Sequence, residues 1–282
     1  ILQKNQSAIE KRMQEAGMNT QAIRREMSFA LQAIKANDYL QKCTGDSLMA
    51  AVVNIANIGL TLNPAAKEAY LVPRKGVAVL QPSYIGLCKL ITQTGKVTDI
   101  KANVVYEGDQ FELDLADSYK PITHRPCLRK KDRGDLIGVY GIATLKDGSK
   151  HAEWMDVDGI NVIRGMSESW KNEKLRRYSP WVNHYDEMAR KTVVKRLYKY
   201  LPRGENQDRI DDAIQIDNQE YLATSKQKGY IESLLDSSTL DHEHRAYIES
   251  QLNGMTYQQA SQLIEQLKEN QQDPIKHVGG RG

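Results

Sequence analysis

The chain has 282 residues, 40% of them hydrophobic and 27% charged, which fits a soluble globular protein with one large core or two domains. No apolar run reaches bilayer-spanning length, and three scattered cysteines (Cys43, Cys88, Cys127) argue against a disulfide framework and fit a reducing cytoplasm. The net charge of +3 hides an uneven distribution: residues 1–218 carry 33 Lys or Arg against 27 acids, and residues 219–282 carry six against nine, so the body favours a polyanionic partner.

The first residues, ILQKNQSAIEKRMQEAG, lack the apolar centre of a signal peptide. Residues 7–36 read as a polar helix on which Ile23, Met27, Ala30, Leu31 and Ile34 repeat at three and four. A second helix runs from Thr44 to Gly59, and Asn63-Pro64 breaks the chain after it. Ala69–Val72 and Val77–Gln81 predict two strands around a basic hairpin tip at Arg74 and Lys75. Pro82-Ser83 opens the helix YIGLCKLITQT, which Gly95 closes; Lys89 and Lys96 are expected on its exposed side.

Val97–Tyr106 and Gln110–Leu115 predict two more strands, with a polar, Lys- and Arg-rich loop over residues 116–135. Ile137–Leu145 and Lys150–Met155 flank Asp147-Gly148, a hairpin signal, and Asp156 caps a helix through about Arg164. A polar connection, residues 165–179, leads to WVNHYDEMARKTVVKRLYKYLP, residues 181–202, which reads as one helix stopped by Pro202. On a helical wheel Trp181, Val182, Tyr185, Ala189, Val193 and Tyr200 share an apolar face; Lys191, Lys195 and Lys199 form a neighbouring one-signed stripe with no acid among them. From Trp170 to Arg203 there are ten Lys or Arg against three acids.

The fold class is therefore α+β: a core of about five short strands with packed helices, then a small C-terminal helical bundle. The expected boundaries are a core over residues 1–202, a linker over 203–223, a helical domain over 224–270 and a disordered tail over 271–282. Capping boxes at Thr224/Gln227 and Thr256/Gln259, with Asp241 and Gly254 as further helix ends, support three short helices in the bundle.

No phosphate-binding loop, dinucleotide fingerprint, nucleophile elbow or zinc-protease motif occurs, which disfavours an ATP-driven motor. His242 and His244 alone make a weak metal signal. Glu107, Asp109 and Glu112 near one hairpin raise the alternative of a metal-dependent nuclease, although alternation with Phe111, Leu113 and Leu115 is also what a solvated strand face gives. Basic residues interleaved with Trp170, Tyr178, Trp181, Tyr185 and Tyr198 suit single-stranded nucleic acid, because phosphates need charge and unstacked bases need aromatic faces; an acidic protein partner is the third reading.

Six segments in one order carry a resemblance: GLTLNPAAKEAYLVP, QPSYIGLCKLITQTGKV, VVYEGDQFEL, HRP at 124–126, GVYGIATLKDGS and SPWVNHYDEMARKTVVKRLYKYLP. Over residues 40–203 the chain resembles the RecT/Red-beta family of phage single-strand annealing proteins, on its RecT side. The resemblance implies ATP-independent binding of single-stranded DNA and annealing of complementary strands in homologous recombination, without turnover chemistry. It implies no nucleotide cofactor, with Mg2+ only as a DNA counterion, and a bacterial cytoplasmic setting. It also implies a homo-oligomer, ring or helical filament, that holds the annealed duplex, with N-terminal helices in the oligomer contacts. A partner 5′→3′ exonuclease is implied, and residues 224–270 are a candidate dock for it or for a host single-strand-binding protein. Carried over by position, Arg190, Lys191, Lys195, Arg196 and Lys199 are the leading DNA contacts. Arg74, Lys75, Lys89, Lys96 and Lys101 come next, and Arg164, Lys171, Arg176 and Arg177 are candidates for a clamp over the strand.

Overall fold

The polar N-terminal stretch folds as two helices, α1 (Gln6–Glu15) and α2 (Thr20–Lys35), because Gly17 takes a left-handed backbone (φ 88°) and Asn19 starts a new helix by accepting from the Ala22 amide. The computed structural model describes residues 6–74, 76–218, 225–238, 240–252, 255 and 257–272. Lys75, Thr224, Gly254, Thr256 and residues 219–223 and 273–282 lie outside the described residues, so the hairpin-tip lysine, both capping boxes and most of the expected tail have no structural account. A short α3 (Asp38–Gln41) leads into α4 (Gly45–Ile58), which Gly59 ends with φ 74°.

The fold is α+β. Strands β1 (Ala69–Arg74) and β2 (Val77–Pro82) pair antiparallel, and Ser83 then caps α5 (Tyr84–Gln93) by accepting from the Gly86 amide. β3 (Val97–Tyr106), β4 (Gln110–Leu113) and β5 (Ile122–Arg125) follow, then β6 (Leu136–Leu145) and β7 (Lys150–Asp156). Among the described residues the strands form three antiparallel sheets: β1-β2, β3-β6-β7 and β4-β5. The expectation of about five strands is thus exceeded, and β5 lies inside the stretch expected as a loop.

Asp156 caps α6 (Val157–Met166), and the polar connection contains two short helices, α7 (Glu168–Lys171) and α8 (Glu173–Arg176). The long basic helix is divided: α9 (Pro180–Asn183) is separated from α10 (Tyr185–Tyr198) by His184, whose φ of −142° and ψ of 47° are not helical. Residues 207–218, expected as part of a linker, form α11 (Gln207–Asn218), whose Ile210, Ala213 and Ile216 join the main core.

The chain divides into units of residues 1–217 and 218–282. In the first, Val139, Gly141 and Ala143 of β6 face α10 while Tyr140 faces the other side, as strand alternation requires. On one face, Gly141 lets α10 approach: a Cβ there would meet Leu197 at 3.2 Å and Val193 at 3.6 Å. On the other, Phe111 of the β4-β5 hairpin stacks on Tyr140 and Trp154 at 5.6 and 4.9 Å. The apolar residues of the first two helices (Ile9, Met13, Ile23, Met27, Ala30) are buried in this same core. The second unit comprises α12 (Ser225–Asp236), α13 (His242–Gln251) and α14 (Tyr257–Gln272) around Ile231, Leu234, Leu235, Leu252, Ala260 and Leu267.

Candidate nucleic-acid interface

Helix α10 is buried on more sides than a surface helix. Ala189, Val193, Val194, Leu197 and Tyr198 are all at most 6% exposed, and so is Lys191. Val182 and Tyr200, expected on the apolar face, are 49% and 62% exposed. The buried face is therefore rotated toward the lysine stripe. α11 accounts for this: its Asp217 accepts from both Lys191 and Lys195, the latter at 2.9 Å, and its Asp211 accepts from the Tyr198 hydroxyl at 2.7 Å. Burial pushes the Asp217 carboxyl up, but the two lysines more than reverse this and hold it below the usual carboxylate range.

This revises the exposure expected of the leading candidates. Lys191 does not stand on an exposed face; its charge is neutralised inside the fold by Asp217. Lys195 keeps 21% of its side chain exposed but shares the same carboxylate. Lys199, one turn later, is exposed. Arg190 is largely covered and donates to Glu187 at 2.9 Å, and Arg196 is half-exposed and reaches Glu153 of β7.

The remaining candidates also divide. Lys89, expected to be exposed, donates to both carboxylate oxygens of Glu68 at 2.8 and 3.0 Å; Glu68 in turn accepts from the Thr61 amide. Lys89 thereby fastens residues 61–68 to α5, next to Leu62, whose amide donates to buried Glu26. Arg74 donates to Gln81 across the β1-β2 ladder. Lys101 is exposed and pairs with Asp99 at 3.1 Å. Lys96 is exposed and lines a recess of about 510 Å3 with Arg203, Gln207 and Asp211.

In the connection before α10, Trp170 lies between two guanidinium groups, Arg164 at 4.1 Å and Arg176 at 5.2 Å. Arg176 also donates to the Trp170 carbonyl at 2.8 Å. These two arginines shape the connection from within. Arg177 lies 4.6 Å over Tyr178, and both are exposed, as is Lys171. Among the described residues no carboxylate pairs with Lys96, Lys171 or Lys199. Of the candidate cations these three and Arg177 are open, whereas half-exposed Arg196 is paired with Glu153, and a cation already paired releases little bound counterion on meeting a phosphate.

The acids proposed for a nuclease are otherwise engaged. Asp109 has no exposed side-chain surface and accepts from the amides of Tyr106 and Cys127, from His124 at 3.1 Å and from Arg133 at 3.4 Å. Burial pushes its carboxyl up, but these four donors override it and hold it at about 2. Glu107 accepts from the Asp135 amide, and Glu112 is exposed on β4. Among the described residues no three His, Cys, Asp or Glu converge as metal ligands, and His244 is held by its own cap, Asp241, at 2.8 Å. Asp109 and Glu107 thus act as structural acceptors, and Glu112 lies on a solvated strand face.

Several of these partners escaped the sequence reading: Asp217, Glu68, Glu153 and Asp109 as a buried acceptor. Only Asp217 had a local signal, the Ile210, Ala213, Ile216 spacing that marks a helix before it. No helix of the described residues is long and apolar enough to cross a membrane.

Comparison with known proteins places these features in a family context. The model of the RecT family matches residues 24–224. Protein RecT of Escherichia coli (strain K12) is 30% identical over 227 residues, covering 77% of this chain and 80% of that protein. The uncharacterized protein YqaK of Bacillus subtilis (strain 168) is 22% identical over 206 residues, covering 68% of each.

Proposed function

The chain belongs to the RecT family, a family of DNA recombination and strand annealing, and from that premise we propose that it binds single-stranded DNA and anneals it to a complementary strand without ATP. The observation that carries this reading is the family match, which spans the sheet, α10 and the open cations Lys96, Lys171, Arg177 and Lys199. Annealing is downhill. The protein needs only to neutralise phosphates, hold the strand extended and leave base edges free, and lysines on a surface supply that without sequence readout. No step in this scheme requires a nucleotide or turnover chemistry.

Several finer features belong to the same proposal. The chain acts as a homo-oligomer, ring or filament, on the annealed intermediate, in the bacterial cytoplasm. A 5′→3′ exonuclease supplies its single strands, and residues 224–270 dock that enzyme or a host single-strand-binding protein. Lys191 and Lys195 contribute by positioning α10, and Lys195 adds a partly exposed charge.

Mixing two complementary oligonucleotides, one fluorescently labelled at each end of the duplex, tests the reading. Pairing should accelerate with the protein and no ATP. Loss of the strands with Mg2+ would instead favour a nuclease, and no binding at low salt would remove DNA as the partner.

A further inference from the structure

A polar cavity of about 260 Å3 lies beside the edge strand β3, lined by Asn103, His124, Arg133, Tyr140, Asp186 and Arg190 among others. Pockets for drug-sized ligands are larger, roughly 300 Å3 upward, and mostly apolar. This one suits a single small, flat, polar group.

Its chemistry follows from which atoms are already engaged. His124 uses both ring nitrogens, one on Asp109 at 3.1 Å and one on the Tyr140 hydroxyl at 3.2 Å. The Asn103 amide donates to that hydroxyl at 3.2 Å, which leaves its carbonyl oxygen. Asp186 accepts from the Tyr106 hydroxyl at Oδ2, which leaves Oδ1. Arg190 commits one terminal nitrogen to Glu187. Arg133 commits one terminal nitrogen to Asp109 at 3.4 Å and lies 4.0 Å over the Tyr106 ring, and its Nε is buried without a partner among the described residues. The wall therefore offers guanidinium donors beside a carboxylate and a carbonyl acceptor.

A bare phosphate would meet the guanidiniums and be repelled by Asp186. A nucleobase edge, with acceptors and donors side by side, satisfies both. Guanine matches most fully: O6 and N7 accept from a guanidinium, and N1–H and the N2 amine have the free Asp186 oxygen and the Asn103 carbonyl as acceptors. We propose that this cavity is a base pocket that takes one unstacked guanine from a bound strand. The proposal rests on the single-strand reading above. It adds a base preference to a protein whose other contacts, to phosphates, carry none.

The test is binding of labelled oligothymidylate at low salt, compared with the same strand carrying one central guanine, one inosine (which lacks the N2 amine) or one abasic site. The guanine strand should bind about tenfold tighter, the size of one bidentate base contact. The inosine strand should fall between, and the abasic strand should match all-thymine. Asp186→Asn and, separately, Asn103→Ala should lower the guanine gain, with all-thymine binding unchanged and the thermal transition preserved. If Asp186→Asn fails to fold, Asn103→Ala and the base series still decide. Equal affinity for the guanine and all-thymine strands, or a gain that survives both substitutions, would overturn the pocket while leaving single-strand binding intact. Failure of the all-thymine strand to bind would overturn the single-strand reading itself.

Discussion

Asp109 and Asp217 sit in regions that share deep burial and differ in wiring. Asp109 closes a local knot: its donors come from residues 106–133, and two of them are backbone amides. Asp217 reaches across to another helix and meets only charged partners, Lys191 and Lys195. The first arrangement fixes the shape of a hairpin. The second removes positive charge from a helix that otherwise reads as a continuous cationic stripe. Basic residues in one segment thus have two fates, neutralised inside or open to solvent, and only the open ones favour a polyanion directly.

The largest expected effect breaks the second arrangement. Asp217→Ala should cost about 3–5 kcal/mol in urea unfolding, because it leaves buried lysine charge without its carboxylate. Adding Lys191→Met should recover part of that loss, since an apolar side chain of similar length tolerates the site. Asp109→Ala should cost less, about 1–3 kcal/mol, because two of its four donors are neutral backbone amides and Arg133 is partly exposed.

Acid should weaken both regions. Both carboxyls are held below their unfolded values, so their contribution is fully present above about pH 4 and is lost as pH falls through the folded values. For Asp109 that loss runs down to about pH 2. Circular dichroism during acid titration should show the transition of Asp109→Asn flattened over this range.

Smaller effects sharpen the division of the cations. Lys199→Ala and Lys171→Ala should each lower the slope of log affinity against log salt by about 0.7 for single-stranded DNA. Lys191→Met, in folded protein, should leave that slope unchanged. The smallest effect is on stability at Lys101, where Lys101→Ala removes an exposed pair with Asp99 and should cost under about 1 kcal/mol.

The sequence made some of this legible because the signals were local. Gly59 and Ser83 bound helices where their caps and breaks imply, and Asp147-Gly148 turns β6 into β7. β5 went unread because Ile122–Arg125 is four residues long and mostly polar; it is a strand only because β4 pairs with it. α11 went unread because Asp208, Asp211, Asp212 and Asp217 mask three apolar residues at helical spacing. The wheel over residues 181–202 found part of the buried face, at Trp181, Ala189 and Val193, and missed its extension over Lys191 for the same reason. A lysine counts as polar until its partner is known, and the partner here lies 26 residues away. Of the candidate site, the segment was legible. Which of its charges face outward depends on tertiary pairs that no local pattern encodes.

The link between α10 and α11 also sets where the chain can be cut. Pro202 looks like a natural end for the first unit, yet a fragment stopped there would lose Ile210, Ala213 and Ile216 from its core and leave Lys191 facing a vacated groove. A fragment that keeps this link runs through Asp217. Dissection of the second unit's role therefore begins at residue 218, and a deletion starting fifteen residues earlier would report misfolding as though it were loss of a partner.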